Sequence, residues 1–208
     1  ASEAGILGLA EHIVNAKKYF KTLNLIVGVD QGKTSKEALW EINNLNINSY
    51  IFHQAESAIF HPKIYLIEGA RETKLILGSS NMTARGLFGN VESSLLFEFR
   101  NSNKQGKDLL KQIKDYYSAL FNFTDPNLFK ISEKTIRKFI DCGIVPNETT
   151  VARKYGKRRV DEIEVAKKSD LIIPKRVSPK VPDSFKSKPI SSKEVAKIID
   201  ELEISNKI

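Results

Sequence analysis

Thiols are almost absent from this chain. Cys142 is its single cysteine, which excludes an internal disulfide and leaves no thiol cluster to hold zinc. A reducing compartment suits such a sequence, so a cytoplasmic location is expected. Long apolar runs are missing as well. None approaches the roughly 20 residues that cross a bilayer, and the first residues do not form a basic, apolar leader ending in small residues. No membrane partner is expected on that ground. Histidine is scarce, at three residues, and no carboxylates cluster in a metal-ligand pattern, so neither a metal nor a cofactor is implied. No internal repeat is visible.

What is present is enough for one substantial domain: 208 residues, of which 41% are hydrophobic. The net charge of +8 is unevenly spread. Residues 1–150 hold 18 Lys/Arg against 16 Asp/Glu, whereas residues 151–208 hold 15 against 9. A basic excess favours polyanions, nucleic acid and anionic membrane alike.

Taken in order, Leu9, Ile13, Ala16 and Phe20 recur at helical spacing and predict a first helix over 6–20. The β-branched run 23–29 predicts a strand. After the loop DQGKTS, Thr34 and Glu37 have the spacing of a capping box for a second helix with Leu39, Ile42 and Leu45 as its apolar stripe. A strand over 47–52 follows. Strands alternating with helices predict an α/β sandwich around a mixed sheet.

The stretch HPKIYLIEGARETKLILGSSNMTARGLFGNVESSLLFEF, His61 to Phe99, carries the chemistry. Its periodicity predicts strands over 61–67, 74–77 and 92–99. Alternation along the first puts His61 and Lys63 on one surface, with Ile64 and Leu66 on the other. Ser79, Ser80 and Asn81 supply hydroxyls and an amide where a strand end meets a loop, and Glu92 returns a carboxylate to the same region. Beyond it, Leu109, Leu110, Ile113, Tyr116, Tyr117, Leu120 and Phe121 predict a strongly amphipathic helix. A shorter one is expected from Ser132 to Cys142, with Gly143 and Pro146 ending it.

His61, Lys63, the acid Glu68 after four intervening residues, then Gly78 to Asn81 and Glu92 resemble the catalytic signature of the phospholipase D superfamily. The resemblance is closest to its nuclease branch, which includes metal-independent restriction endonucleases with a single copy of the motif. It implies a phospholipase D-like α/β/α sandwich over residues 1–148 with a strand preceding the first helix, an element the chain does not supply. The acid after the lysine is commonly Asp, and Glu68, on the opposite strand face, is assigned to the turn instead.

The resemblance further implies that His61 is a nucleophile forming a phosphohistidine that water resolves. Lys63, Asn81 and Ser79 would bind phosphate oxygens, and Glu92 would orient an imidazole. Such chemistry uses two histidines. His12 and His53 lack the following lysine, so a homodimer with both His61 side chains near its two-fold axis is expected. The expected substrate is DNA, cleaved without metal by the nuclease module of a restriction enzyme. Sequence specificity would then reside in a domain or subunit outside these residues, and an ATPase subunit is a further partner this reading admits. The rivals are a lipid-directed phospholipase or phosphatidyltransferase and a noncatalytic DNA-binding module.

Ordinary roles weigh against functional ones at several positions. A lone strand histidine is usually a partly buried polar residue, and it is the joint pattern that favours catalysis. Trp40, Phe52, Phe60 and Phe97 read as core, Tyr19 and Tyr65 as packing residues, and Glu98 and Arg100 as solvent-facing charges. Arg85 reads equally as a phosphate contact or a solvated loop charge. From residue 149 a basic linker rich in Pro and Lys is expected to 190. Four of the seven prolines fall in it, and its Arg153, Lys154, Lys157, Arg158 and Arg159 are candidate DNA contacts. A C-terminal amphipathic helix is expected over 191–208, with Ser191 and Glu194 as its capping box and Val195, Ile198, Ile199 and Leu202 as its stripe.

Overall fold

The computed structural model describes residues 1–54 and 59–153. The expected helix 191–208, nearly all of the linker, and Lys154, Lys157, Arg158 and Arg159 lie outside them. The elements run α1 (Glu3–Ala16), β1 (Asn24–Gly28), α2 (Lys36–Asn44), β2 (Asn48–Phe52), β3 (Ile64–Glu68), β4 (Glu72–Gly78), β5 (Ser94–Arg100), α3 (Lys104–Tyr116), α4 (Ser118–Phe121), β6 (Leu128–Lys130) and α5 (Glu133–Asp141). The fold is mixed α/β, as the alternation predicted, and its strands form two three-stranded sheets. In the first, β1 pairs parallel with β2 and β2 antiparallel with β6. The second, β3-β4-β5, is antiparallel throughout and is made of the motif strands.

The core lies with the mixed sheet. Val27, Val29, Ile51 and Ile131 pack with Ile6, Ala10 and Val14 of α1, Leu39, Ile42 and Leu45 around α2, and Ile136 and Phe139 of α5. Leu39 and Ile42 are fully buried, as their helical spacing predicted. In α1 the buried residues are Gly5, Ile6, Ala10 and Val14, and the three apolar side chains lie one flank away from the predicted stripe. The reason is a second contact: the Gly5 and Gly8 side of the helix lies against the loop that follows Asn81. A Cβ on Gly5 would stand 2.6 Å from the Met82 carbonyl oxygen, and one on Gly8 3.3 Å from the Phe88 ring. Tyr19, expected to pack, is 81% exposed because α1 stops before it.

The cap of α2 is Ser35, whose hydroxyl accepts from the Ala38 N–H, and not Thr34. Thr34 is buried, and its hydroxyl donates to the Gly28 carbonyl at the end of β1 (2.6 Å), which takes it out of a capping role. Glu37 accepts from the Glu148 N–H (2.8 Å). The long helix expected after the motif breaks at Tyr117 into α3 and α4. Ser132 caps α5 as expected, and Gly143 ends it at φ +69°. Residues 148–153 continue in helical conformation, and Val151 is buried, so packed chain extends past the expected boundary at 148.

Candidate active site

The motif residues gather at one end of the antiparallel sheet. β3 begins at Ile64, later than predicted, since Pro62 has no N–H to give a ladder. The last link there is Gly78 N–H to the Lys63 carbonyl (3.3 Å). Gly78 faces Ser94 across β4 and β5, and the Ser79 N–H donates to the Ser93 carbonyl (3.0 Å). The lead-in to β3 (His61, Lys63), the exit of β4 (Ser79, Ser80, Asn81) and the lead-in to β5 (Asn90, Glu92) are thereby neighbours.

The Lys63 ammonium lies against the His61 ring, 2.5 Å from Nδ1 and 2.8 Å from Nε2, and donates to the His61 carbonyl (2.9 Å). Alternation along a strand predicted a shared surface, but both residues precede β3, and the contact is made by the lysine side chain reaching back to His61. An ammonium has only donors to offer, so of the two ring nitrogens one accepts from it, and the tautomer decides which. Burial, Lys63 and Lys33 each push the His61 pKa below its ordinary value, in keeping with a free base. Burial, with Lys33 adding to it, also lowers Lys63, and Glu92 opposes the shift. Lys33, in the turn after β1, is a site cation that sequence reasoning missed. Nothing in its local pattern marks it, because its charge acts on His61 and Lys63 only through the fold.

Glu92 sits just before β5, not in it. Its carboxylate accepts from the Ser79 hydroxyl and from the Asn90 amide (2.9 Å). These hydrogen bonds, Ser79 first, with a smaller contribution from Lys63, hold its pKa below the usual carboxylate range. Ser79, expected as a phosphate ligand, thus has its hydroxyl engaged by Glu92, and Asn90 joins the set unforeseen. Among the described residues the hydrogen-bond partners of Glu92 are these two side chains, and an imidazole is not among them.

The loop carrying Asn81 is held from two sides. Tyr65, its phenol kept protonated by burial, donates to the Ser80 carbonyl (2.9 Å). At the other side the α1 cap Ser2 gives its N–H to the Met82 carbonyl (3.2 Å) and takes the Ala84 N–H on its hydroxyl (3.3 Å). Starting the helix at Ile6 concealed this anchor, although a serine followed by the first-turn acid Glu3 is its signal. After the loop comes a single π-helical turn, Arg85–Gly89, and Arg85 is exposed there. Arg153 is also exposed.

A family model described as "Cardiolipin synthase, PLD-like domain" matches residues 9–120, over half of the 208. The chain belongs to this phospholipase D-like family. No curated protein matches it. The matched span contains His61, Lys63, Asn81 and Glu92, and membership brings phosphodiester hydrolysis or transfer as the broad reaction class. Glu68, set aside from the phospholipase D-like site on its strand face, pairs with Lys114 of α3 (2.7 Å). Glu98 pairs with Lys74 (3.1 Å) on the sheet surface. Among the described residues no group of three or more His, Cys, Asp or Glu could hold a metal ion, and no helix is long and apolar enough to cross a membrane.

Proposed function

We propose that this chain is a metal-independent phosphodiesterase that cleaves DNA through a covalent phosphohistidine, as the nuclease module of a restriction enzyme. The observation that carries the reading is the His61 ring set against the Lys63 ammonium at the open end of a sheet. A free imidazole nitrogen attacks phosphorus in line, the leaving alkoxide takes a proton from a second imidazolium, and water then displaces the phosphoryl group from the ring. Lys63 and Asn81 neutralise the nonbridging oxygens, and Lys33 adds a second cation. The second imidazole comes from another copy of the chain, across a two-fold axis. Support for such a copy comes from Val91 and Leu95, each 64% exposed beside Glu92, an apolar surface that a partner subunit would cover.

The family description and those same exposed apolar residues favour a second reading, transfer or hydrolysis at a phosphatidyl lipid. The two separate on substrate. Purified protein with chelator is given supercoiled plasmid or vesicles of phosphatidylglycerol. Nicked or linear plasmid with intact lipid is expected, and lipid turnover with intact plasmid would replace the nuclease reading. The dimer is tested by mixing: one wild-type and one His61→Ala chain are expected to be nearly as inactive as the doubly substituted dimer. Retention of about half the wild-type rate would mean that each chain works alone.

A further inference from the structure

The Asp30 side chain is only 7% exposed, and it stands where the first sheet hands the chain to the second. Oδ1 accepts from His53 Nδ1 (2.9 Å) and from the Gln54 N–H (3.3 Å), while Oδ2 accepts from the Phe60 N–H (3.0 Å). Gln54 and Phe60 lie between β2 and β3, beyond the ladder of either sheet, so their amides need another acceptor. A carboxylate suits three donors arriving on two sides, because both of its oxygens accept and neither donates.

Phe60 is fixed in two further ways. Its ring stacks on Phe52 at 4.5 Å, and its carbonyl oxygen would lie 2.9 Å from a Cβ on Gly28, so only glycine permits the approach. The next residue is His61. Asp30 also opens the turn Asp30–Gly32, where Gln31 (φ 60°) and Gly32 (φ 62°) swing the chain round to Lys33. One carboxylate therefore fastens the Lys33 turn to the segment that presents His61.

We propose that Asp30 is a positioning residue, clamping the end of β1 to Phe60 so that His61 and Lys33 are held at a fixed separation, with His53 serving the clamp and not the chemistry. Its kinetic consequence rests on the phosphodiesterase reading. Small displacements of a nucleophile cost up to about 100-fold in rate without loss of binding.

The test uses the full chain, bis(p-nitrophenyl) phosphate as substrate, and amide hydrogen exchange read by NMR. Asp30→Asn keeps the size but puts an NH2 against one of the donors. The expected result is a kcat about 10- to 100-fold lower with KM within about twofold, and loss of exchange protection at Phe60 while Val27 and Ile51 keep theirs. His53→Gln, which retains a donor, is expected to stay within about threefold of wild type. Should Asp30→Asn not fold, Asp30→Glu gives the same readouts with an intermediate loss. Unchanged kcat or unchanged Phe60 exchange in the Asp30 variant overturns the clamp, as does a His53→Gln enzyme as inactive as His61→Ala. If the wild type hydrolyses no phosphodiester, the functional reading falls, and Phe60 exchange alone decides the clamp.

Discussion

The β1-β2-β6 sheet packs under α1, α2 and α5, with Ile51 fully buried and Val27 nearly so. The β3-β4-β5 sheet has Leu75 and Thr73 buried, yet its edge strand turns Leu95 and Leu96 to solvent at 64% and 60%. The same chain has built one sheet that is closed and one that is open on its edge. The closed one supplies the apolar burial that stabilises the fold. The open one carries His61, Lys63 and Glu92 at its end, where the proposed reading places the substrate and a second copy. Stability and chemistry are thus divided between the sheets, joined by the Asp30 contacts and by the Ser2 anchor on the motif loop.

Substitutions on the two sheets would sharpen that division. Ile51→Ala in the closed sheet is expected to cost about 2–5 kcal/mol, read as a lower denaturation midpoint. A loss under about 1 kcal/mol would show that this sheet does not dominate stability. Gly78→Ala comes next. Its Cβ would meet the Ser93 carbonyl oxygen at 2.6 Å and the Ser94 Cα at 2.6 Å, so β5 must move away from β4. About 1–3 kcal/mol of stability and most of the activity are expected to go. Retained activity would mean that the Ser79 and Glu92 pairing is dispensable.

Smaller still is Lys33→Ala. Burial, Lys63 and Lys33 lower the His61 pKa, so the free base persists below the ordinary imidazole value and the rate falls only as pH drops through the lowered one. Removing one of the cations raises that pKa, and the acid limb of the pH–rate profile is expected to move to higher pH. A limb that stays in place would separate Lys33 from the site. Leu96→Ser on the open sheet should change the stability of the isolated chain by less than about 0.5 kcal/mol. A cost near that of Ile51→Ala would contradict the contrast between the sheets.

Much of the fold could be read from local pattern. The stripe of α2, the cap and glycine end of α5, and the alternation of helices and strands each rest on residues close in sequence, and each is found. What escaped depends on distant partners. Thr34 looked like a cap because nothing local shows that Gly28 needs its hydroxyl. The α1 stripe was misplaced because the Gly5 side meets a loop some 80 residues on. The three residues of β6 are too few for a period to register. In the site, His61 and Lys63 are neighbours in sequence and so is Asn90, which reaches Glu92 two residues on, whereas Lys33 and Asp30 act from distant parts of the chain.

Cleavage of supercoiled plasmid in excess EDTA by the wild type and by His61→Ala, with circular dichroism confirming equal folding, tests the placement of the chemistry on the open sheet most directly. Wild type is expected to cleave in the chelator, with His61→Ala slower by several orders of magnitude. Loss of wild-type cleavage on chelation with restoration by magnesium, or a His61→Ala rate equal to wild type, would contradict a histidine nucleophile at the end of the β3-β4-β5 sheet.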